Sequence, residues 1–157
     1  VQEGTAPGAG SDIGLVAARR AARITASPSW RPLEQAPYVA TFTPVMNIAV
    51  SSETPWSIGG ELAALLPGTE SGTFGTDSSA ADVLGAAGER RVVAVVRDEH
   101  RHPWMAAALD ALLAARPDTV VVEMGVPRAT PRGALHIATH GAARVCGRAA
   151  AEAIAGV

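Results

Sequence analysis

Five consecutive residues, Asp98-Glu99-His100-Arg101-His102, place two carboxylates, two imidazoles and a guanidinium in one short segment. Together they offer ligands for a divalent cation, a general acid or base, or an anion-binding cluster. A second set of titratable groups follows at Glu123, His136 and His140. Asp98, Glu99 and Glu123 are the carboxylates available for glycosidic chemistry, in which one acid protonates the leaving group and the other attacks or activates water. Such groups also have a plain structural reading. Polar residues between a buried strand and a helix usually form a solvated loop, with acids near the helix's positive end.

The elements around them are legible. Val92-Val93-Ala94-Val95-Val96 is a continuous, mostly β-branched run, the pattern of a strand buried on both faces. Pro103 then suits the first turn of a helix, in which Met105, Leu109, Leu112 and Leu113 share a face. Pro117-Asp118 ends it before a second buried run, Thr119 to Glu123, and a strand, crossover helix and strand of this length pair in parallel. Leu135 to Thr139 reads as a further strand. Gly141 opens a last helix with Val145, Cys146, Ala149, Ala150, Ala153 and Ile154 inward, and Arg144, Arg148 and Glu152 opposite.

Upstream, residues 1–10 read as a linker or mobile tail, and residues 11–157 as one domain. A helix capped by Ser11 or Asp12 is expected to carry Ile13, Ala17, Ala21 and Ile24 on one face, ending at Ser27-Pro28-Ser29. Strands follow at Tyr38–Thr43 and Val45–Val50, then a helix with Leu62, Leu65 and Leu66 as its apolar face. A weak strand near Glu70–Phe74 and a helix with Val83 and Leu84, closing at Gly88, complete the pattern. The fold class is α/β: a three-layer α/β/α sandwich with a mostly parallel sheet, flavodoxin-like. Ligands of such sheets bind beyond the carboxyl ends of the strands, here the loops after Val50, Val96, Glu123 and Thr139.

Composition narrows the function. At 157 residues the chain has the length of one domain that buries roughly two-thirds of its unfolded surface. A net charge of −2 leaves no electrostatic footprint for nucleic acid, and no apolar run is long enough to span a bilayer, so a soluble chain, cytoplasmic or secreted, is expected. Cys146 is the one cysteine; it excludes an intrachain disulfide and paired-cysteine zinc sites, and reads as a small apolar residue of the last helix. Gly68 to Gly72 has the wrong spacing for a nucleophile elbow, Gly8, Gly10 and Gly14 follow no strand, and lysine is absent, so no Walker-type phosphate loop exists. No cofactor or metal is expected. His136, inside a strand pattern, reads as a core or edge residue, and His140 as a turn residue at a strand end.

Several segments resemble the C-terminal domain of glycoside hydrolase family three, specifically actinobacterial β-N-acetylhexosaminidase-like enzymes. They are AARRAARIT at 17–25, NIAV at 47–50 followed by PW and ELAALLPGT, VVRDEHRHPWMAAALDALLAARPDTVVVEMG at 95–125, and HIATHGAARVCGRAAAEAIAG at 136–156. The resemblance implies a larger enzyme with an N-terminal barrel of the triosephosphate-isomerase type followed by this sandwich. It also implies a nucleophilic aspartate and an Asp-His acid/base pair on the barrel, acting on terminal β-N-acetylglucosamine. Neither a KHFPGHG-like segment nor the nucleophile strand occurs here, so no catalytic residue carries over. The expected function is a structural or substrate-shaping domain, inactive alone, whose partners are the barrel and a carbohydrate, with neither nucleic acid nor membrane.

Asp98, Glu99, His100, Arg101, His102, Trp104 and His140 are then candidates for a substrate loop or barrel interface. Two other readings stand beside this one. One is a free-standing flavodoxin-like module that binds a small molecule with the loops after Val96 and Thr139. The other is a metal-dependent hydrolase built on Asp98, His100 and His102.

Overall fold

The β-branched runs become the middle of a six-stranded sheet. A computed structural model describes residues 14, 16–43, 58–125, 131–140 and 144–156. Its strands are β1 (Arg23–Ala26), β2 (Tyr38–Phe42), β3 (Glu70–Phe74), β4 (Val92–Val96), β5 (Val120–Glu123) and β6 (Leu135–Ala138). Its helices are α1 (Gly59–Leu65), α2 (Ala80–Ala87), α3 (Pro103–Ala115) and α4 (Arg144–Ala155); residues 16–21 are also helical, and Glu99–Arg101 form a 3-10 turn. The strand order is β1-β6-β5-β4-β2-β3, all parallel except β1, which runs antiparallel along β6.

The five parallel strands thus follow the flavodoxin-like order, with the reversal between β2 and β4. Alternation along the strands feeds two cores. Ala40, Phe42, Val92, Ala94 and Val96 pack with Val83, Met105, Leu109 and Leu112 of α2 and α3. Val39, Val93, Val95, Val120, Val122 and Ile137 pack with Leu62, Ala150, Ala151 and Ile154 of α1 and α4. Strands buried on both faces have no polar side, which is why their sequences do not alternate.

Local chemistry sets the helix ends near the site. Asp82 accepts a hydrogen bond from the Ser79 backbone N–H at 2.8 Å to open α2, and Gly88 closes it at φ 61°. Pro103 occupies the first turn of α3, where its missing N–H costs nothing. Among the described residues no helix is long and apolar enough to cross a membrane.

Two expectations are corrected. The first helix stops at Ala21, and Arg23–Ala26 pair with β6 instead, Ile24 opposite Ile137. Ladder hydrogen bonds to a distant strand outweigh a helical period that ran on to Ile24, and Ile24 is 53% exposed rather than inward. Leu65 is 38% exposed, leaving Leu62 as the buried anchor of α1. Glu152, opposite the inward face of α4 as expected, also receives Arg19 Nε at 2.8 Å and Nη2 at 2.9 Å, tying residues 16–21 to α4. The tail at 1–10, the run Val45–Val50 with its following loop, and Gly141 lie outside the described residues.

Candidate functional site at the strand ends

β4 delivers the charged segment to the carboxyl edge of the sheet, beside the reversal of strand order. Asp98 turns the chain there at φ 55°, ψ 47°, a left-handed conformation that aspartate tolerates better than most side chains. Val96 lies opposite Glu123, the last residue of β5, and this register brings the second carboxylate under the turn.

Glu123 is 5% exposed, and its oxygens are filled by backbone. Oε2 accepts the N–H groups of Asp98 and Gly125, both at 2.8 Å, and Oε1 accepts that of Glu99 at 3.2 Å. Burial pushes its carboxyl above the usual range; the three amides pull it back, and the Asp98 charge adds to the rise. A Cβ at Gly125 would meet Asp98 Oδ1 and lie 3.1 Å from Glu123 Oε2, so a larger residue there would push the Asp98 carboxylate aside.

Glu99 is also buried, and its carboxylate pairs with Arg132, which in turn pairs with Asp110 of α3. A general acid or base must reach its proton's partner within hydrogen-bond distance. The oxygens of Glu123 face backbone amides and Glu99 faces a guanidinium, so the arrangement fixes a loop rather than aiming an acid at a ligand.

The other sequence candidates are distributed around this staple. His100 and Arg101 are exposed on the 3-10 turn. His102 is half-buried and starts α3, its ring 6.4 Å from Trp104, which in turn lies 6.5 Å from Phe42 in the core beneath. His140 stands apart beyond β6: at φ 61° its Nδ1–H donates to the Ala21 carbonyl at 2.8 Å, a bond toward the first helical stretch. Among the described residues no three His, Cys, Asp or Glu side chains converge on a point where a metal could be held, and Asp98, His100 and His102 are not brought together.

Sequence reasoning missed Arg132, Asp110 and Gly125. The Glu99–Arg132 pair spans 33 positions and carries no local signal; the Gly two residues after Glu123 was the one visible hint.

His136 lies on β6 opposite Val121, buried as its strand pattern implied. Burial holds its imidazole below the usual 6.5; Glu99 pulls it up and Arg132 pushes it down. Above 6.5 the ring is neutral folded or unfolded. As the pH falls through 6.5 the unfolded chain takes its proton first, and stability is lost until the folded value is reached. Unfolding free energies at about pH 7.5 and about pH 5.5 should therefore differ less in His136→Gln than in the parent chain.

No protein-family model matches this chain, and no curated protein sequence does. Solved structures do. A family 3 β-N-acetylglucosaminidase from Paenibacillus sp. str. FPU-7 superposes with a TM-score of 0.70 at 20% identity, over 92% of this chain and 30% of its own. A fungal multi-domain family 3 β-N-acetylglucosaminidase gives 0.74 at 13% identity, over 98% of this chain and 18% of its own. The likeness is one of fold. A β-glucosidase from Listeria innocua, solved with isofagomine, gives 0.60 at 12% identity, over 99% of this chain and 26% of its own. The chain therefore spans less than a third of the length of each of these enzymes. The α/β sandwich expected from the sequence is the fold they share with it.

Proposed function

We propose that this chain is the second, α/β sandwich domain of a family 3 glycoside hydrolase, and that its parent removes terminal β-N-acetylhexosamine with retention of configuration. One observation carries the reading: a match over nearly the whole of this chain that occupies a minor part of two β-N-acetylglucosaminidases. The motifs around RDEHRHPW, ELAALLPGT and HIATHGAARVCG support it from the sequence side.

In this reading residues 11–157 form one domain, residues 1–10 lead in from an N-terminal barrel, and the barrel holds the nucleophile and acid/base. The sandwich contributes shape. Its strand-end loop, from Arg97 to Trp104, faces the barrel or the substrate, while Glu99 and Glu123 keep that loop in place. In this reading the domain alone is inactive, since the nucleophile and acid/base belong to the barrel; the internal bonds of the Glu99 and Glu123 carboxylates support it.

The coding sequence upstream of Val1 tests this architecture. A barrel with a KHFPGHG-like segment is the expected result. An initiation codon directly before Val1, together with a thermal shift on adding a small ligand, would point instead to a free-standing module.

A further inference from the structure

The edge of the sheet opposite Asp98 and Glu123 carries two cavities. Ser27 follows β1, Arg91 directly precedes β4, Asp118 stands just before β5, and Ala134 directly precedes β6. With Trp30 among them, these residues line a cavity of about 510 Å³. Small-molecule sites span about 300–1,000 Å³. A second concavity, of about 380 Å³, is lined by Gln35, Glu89 and Arg90 and shares Arg91 with the first. The two adjoin, so an elongated ligand can reach both.

The walls are held before anything binds. The Ser27 N–H donates to the Ala134 carbonyl at 2.9 Å, that of Trp30 to the Ser27 carbonyl at 3.0 Å, and that of Leu33 to the Ile154 carbonyl at 2.9 Å, which fastens residues 27–33 to β6 and α4. Trp30 is half-buried, packed on the core cluster that includes Leu33 and Leu62, and Arg91 Cζ lies 5.9 Å from its ring centroid. Arg91 Nη2 in turn donates to the Asp118 carbonyl at 2.7 Å, and Nε lies 3.0 Å from Asp118 Oδ2 as an ion pair. Indole, guanidinium and carboxylate are thus already ordered, which lowers the entropy lost on binding.

The polar groups on these walls are of both kinds. Arg31, Arg90 and Arg91 donate, Asp118 and Glu89 accept, and the Ser27 and Ser29 hydroxyls, 3.2 Å apart, do either. An anion would meet the Asp118 carboxylate beside Arg91, a cation would meet the guanidinium groups, and an apolar molecule would leave donors and acceptors unpaired. Hydroxyl groups that each donate and accept satisfy both kinds, and the C–H faces of a sugar ring find apolar walls in Trp30, Pro117 and Ala134.

We propose that this amino edge of the sheet binds a neutral oligosaccharide, with Trp30 as its apolar wall and the Arg91–Asp118 pair and the two serines as its hydroxyl partners. The site is separate from the strand-end loop, and it holds a sugar without reacting with it.

Triacetylchitotriose and cellotriose, one with acetamido groups and one without, serve as probes, titrated to about 10 mM into the isotope-labelled chain and followed by amide and indole N–H chemical shifts. Saturable shifts at residues 27–31, 91 and 118 and at the Trp30 indole are expected with at least one of them, unchanged by added salt because the ligand carries no charge. Trp30→Ala should weaken that binding about tenfold or more. Asp118→Ala, which removes an exposed carboxylate and leaves the core intact, should weaken it about threefold or more with the spectrum of a folded chain. No saturable shift with either sugar, shifts confined to residues 97–104, or undiminished binding by Asp118→Ala would overturn the proposal. So would tighter, salt-suppressed binding of trigalacturonate at the same residues, since the site would then select an anion. The titration needs no knowledge of the parent enzyme, so its failure leaves the domain reading standing, and an upstream initiation codon would sink that reading without touching the titration.

Discussion

Glu123→Ala is expected to destabilise the chain by about 3 kcal/mol and to free the turn that carries Asp98 and Glu99. The substitution removes one acceptor group from three donors at once, the N–H groups of Asp98, Glu99 and Gly125. Each buried donor left unpaired costs about 1–3 kcal/mol, but Asp98 and Gly125 are only half-buried and water will recover part of the loss. Glu123→Gln should cost less, roughly 1 kcal/mol, since its carbonyl oxygen can still accept the Asp98 and Gly125 N–H groups, and only the Glu99 N–H is left facing an NH2 donor.

The pH dependence gives this prediction a second edge. The folded carboxyl titrates above its unfolded value of 4.5, so the fold favours the protonated form. That contribution is fully present below 4.5 and is lost as the pH rises through the folded value. The gap between the parent chain and Glu123→Gln should therefore narrow from acid to neutral pH. Denaturant unfolding across that range measures it, and hydrogen exchange at residues 98, 99 and 125 reports the loosened turn.

Gly133→Ala should cost about 3 kcal/mol by a different route. Gly133 sits at φ +91°, where an added Cβ strains the backbone, and that Cβ would lie 2.6 Å from the Thr119 carbonyl oxygen. The carbonyl cannot step aside, because it accepts the Ala134 N–H at 2.9 Å where β5 and β6 enter the sheet. Val121 Cγ2 at 3.2 Å blocks the other direction. Gly88→Ala, at φ +61° and ψ −124° with nothing within 4 Å, is the comparison that shows the backbone penalty without a clash, on the order of 1–3 kcal/mol. Melting temperatures should place Gly133→Ala below Gly88→Ala, by roughly 2–4 °C for each kcal/mol that the clash adds.

What the sequence disclosed follows from how local each signal is. Val92–Val96 and Pro103–Ala115 carry their own signatures, a β-branched run and a proline-started apolar stripe, and both elements stand where these place them. The antiparallel edge at Arg23–Ala26 does not, since it exists only through its bonds to β6, over a hundred residues later. The same distinction divides the site. Asp98, Glu99 and Glu123 could be recognised as strand-end carboxylates, but their partners could not: a loop has no periodicity to tell inward from outward, and Arg132 lies 33 positions from Glu99. His140 likewise looked like a turn residue, and its φ of 61° agrees, yet its bond to Ala21 needed the fold.

The proposed function makes this a domain that shapes a site without performing its chemistry. The most direct measurement is hydrolysis of p-nitrophenyl N-acetyl-β-D-glucosaminide by the isolated 157-residue chain. No release of nitrophenolate above the buffer blank is the expected result. Turnover that co-purifies with the chain and disappears in Glu123→Gln would contradict the account, because it would make a catalyst of a carboxylate that the fold has given to its own backbone.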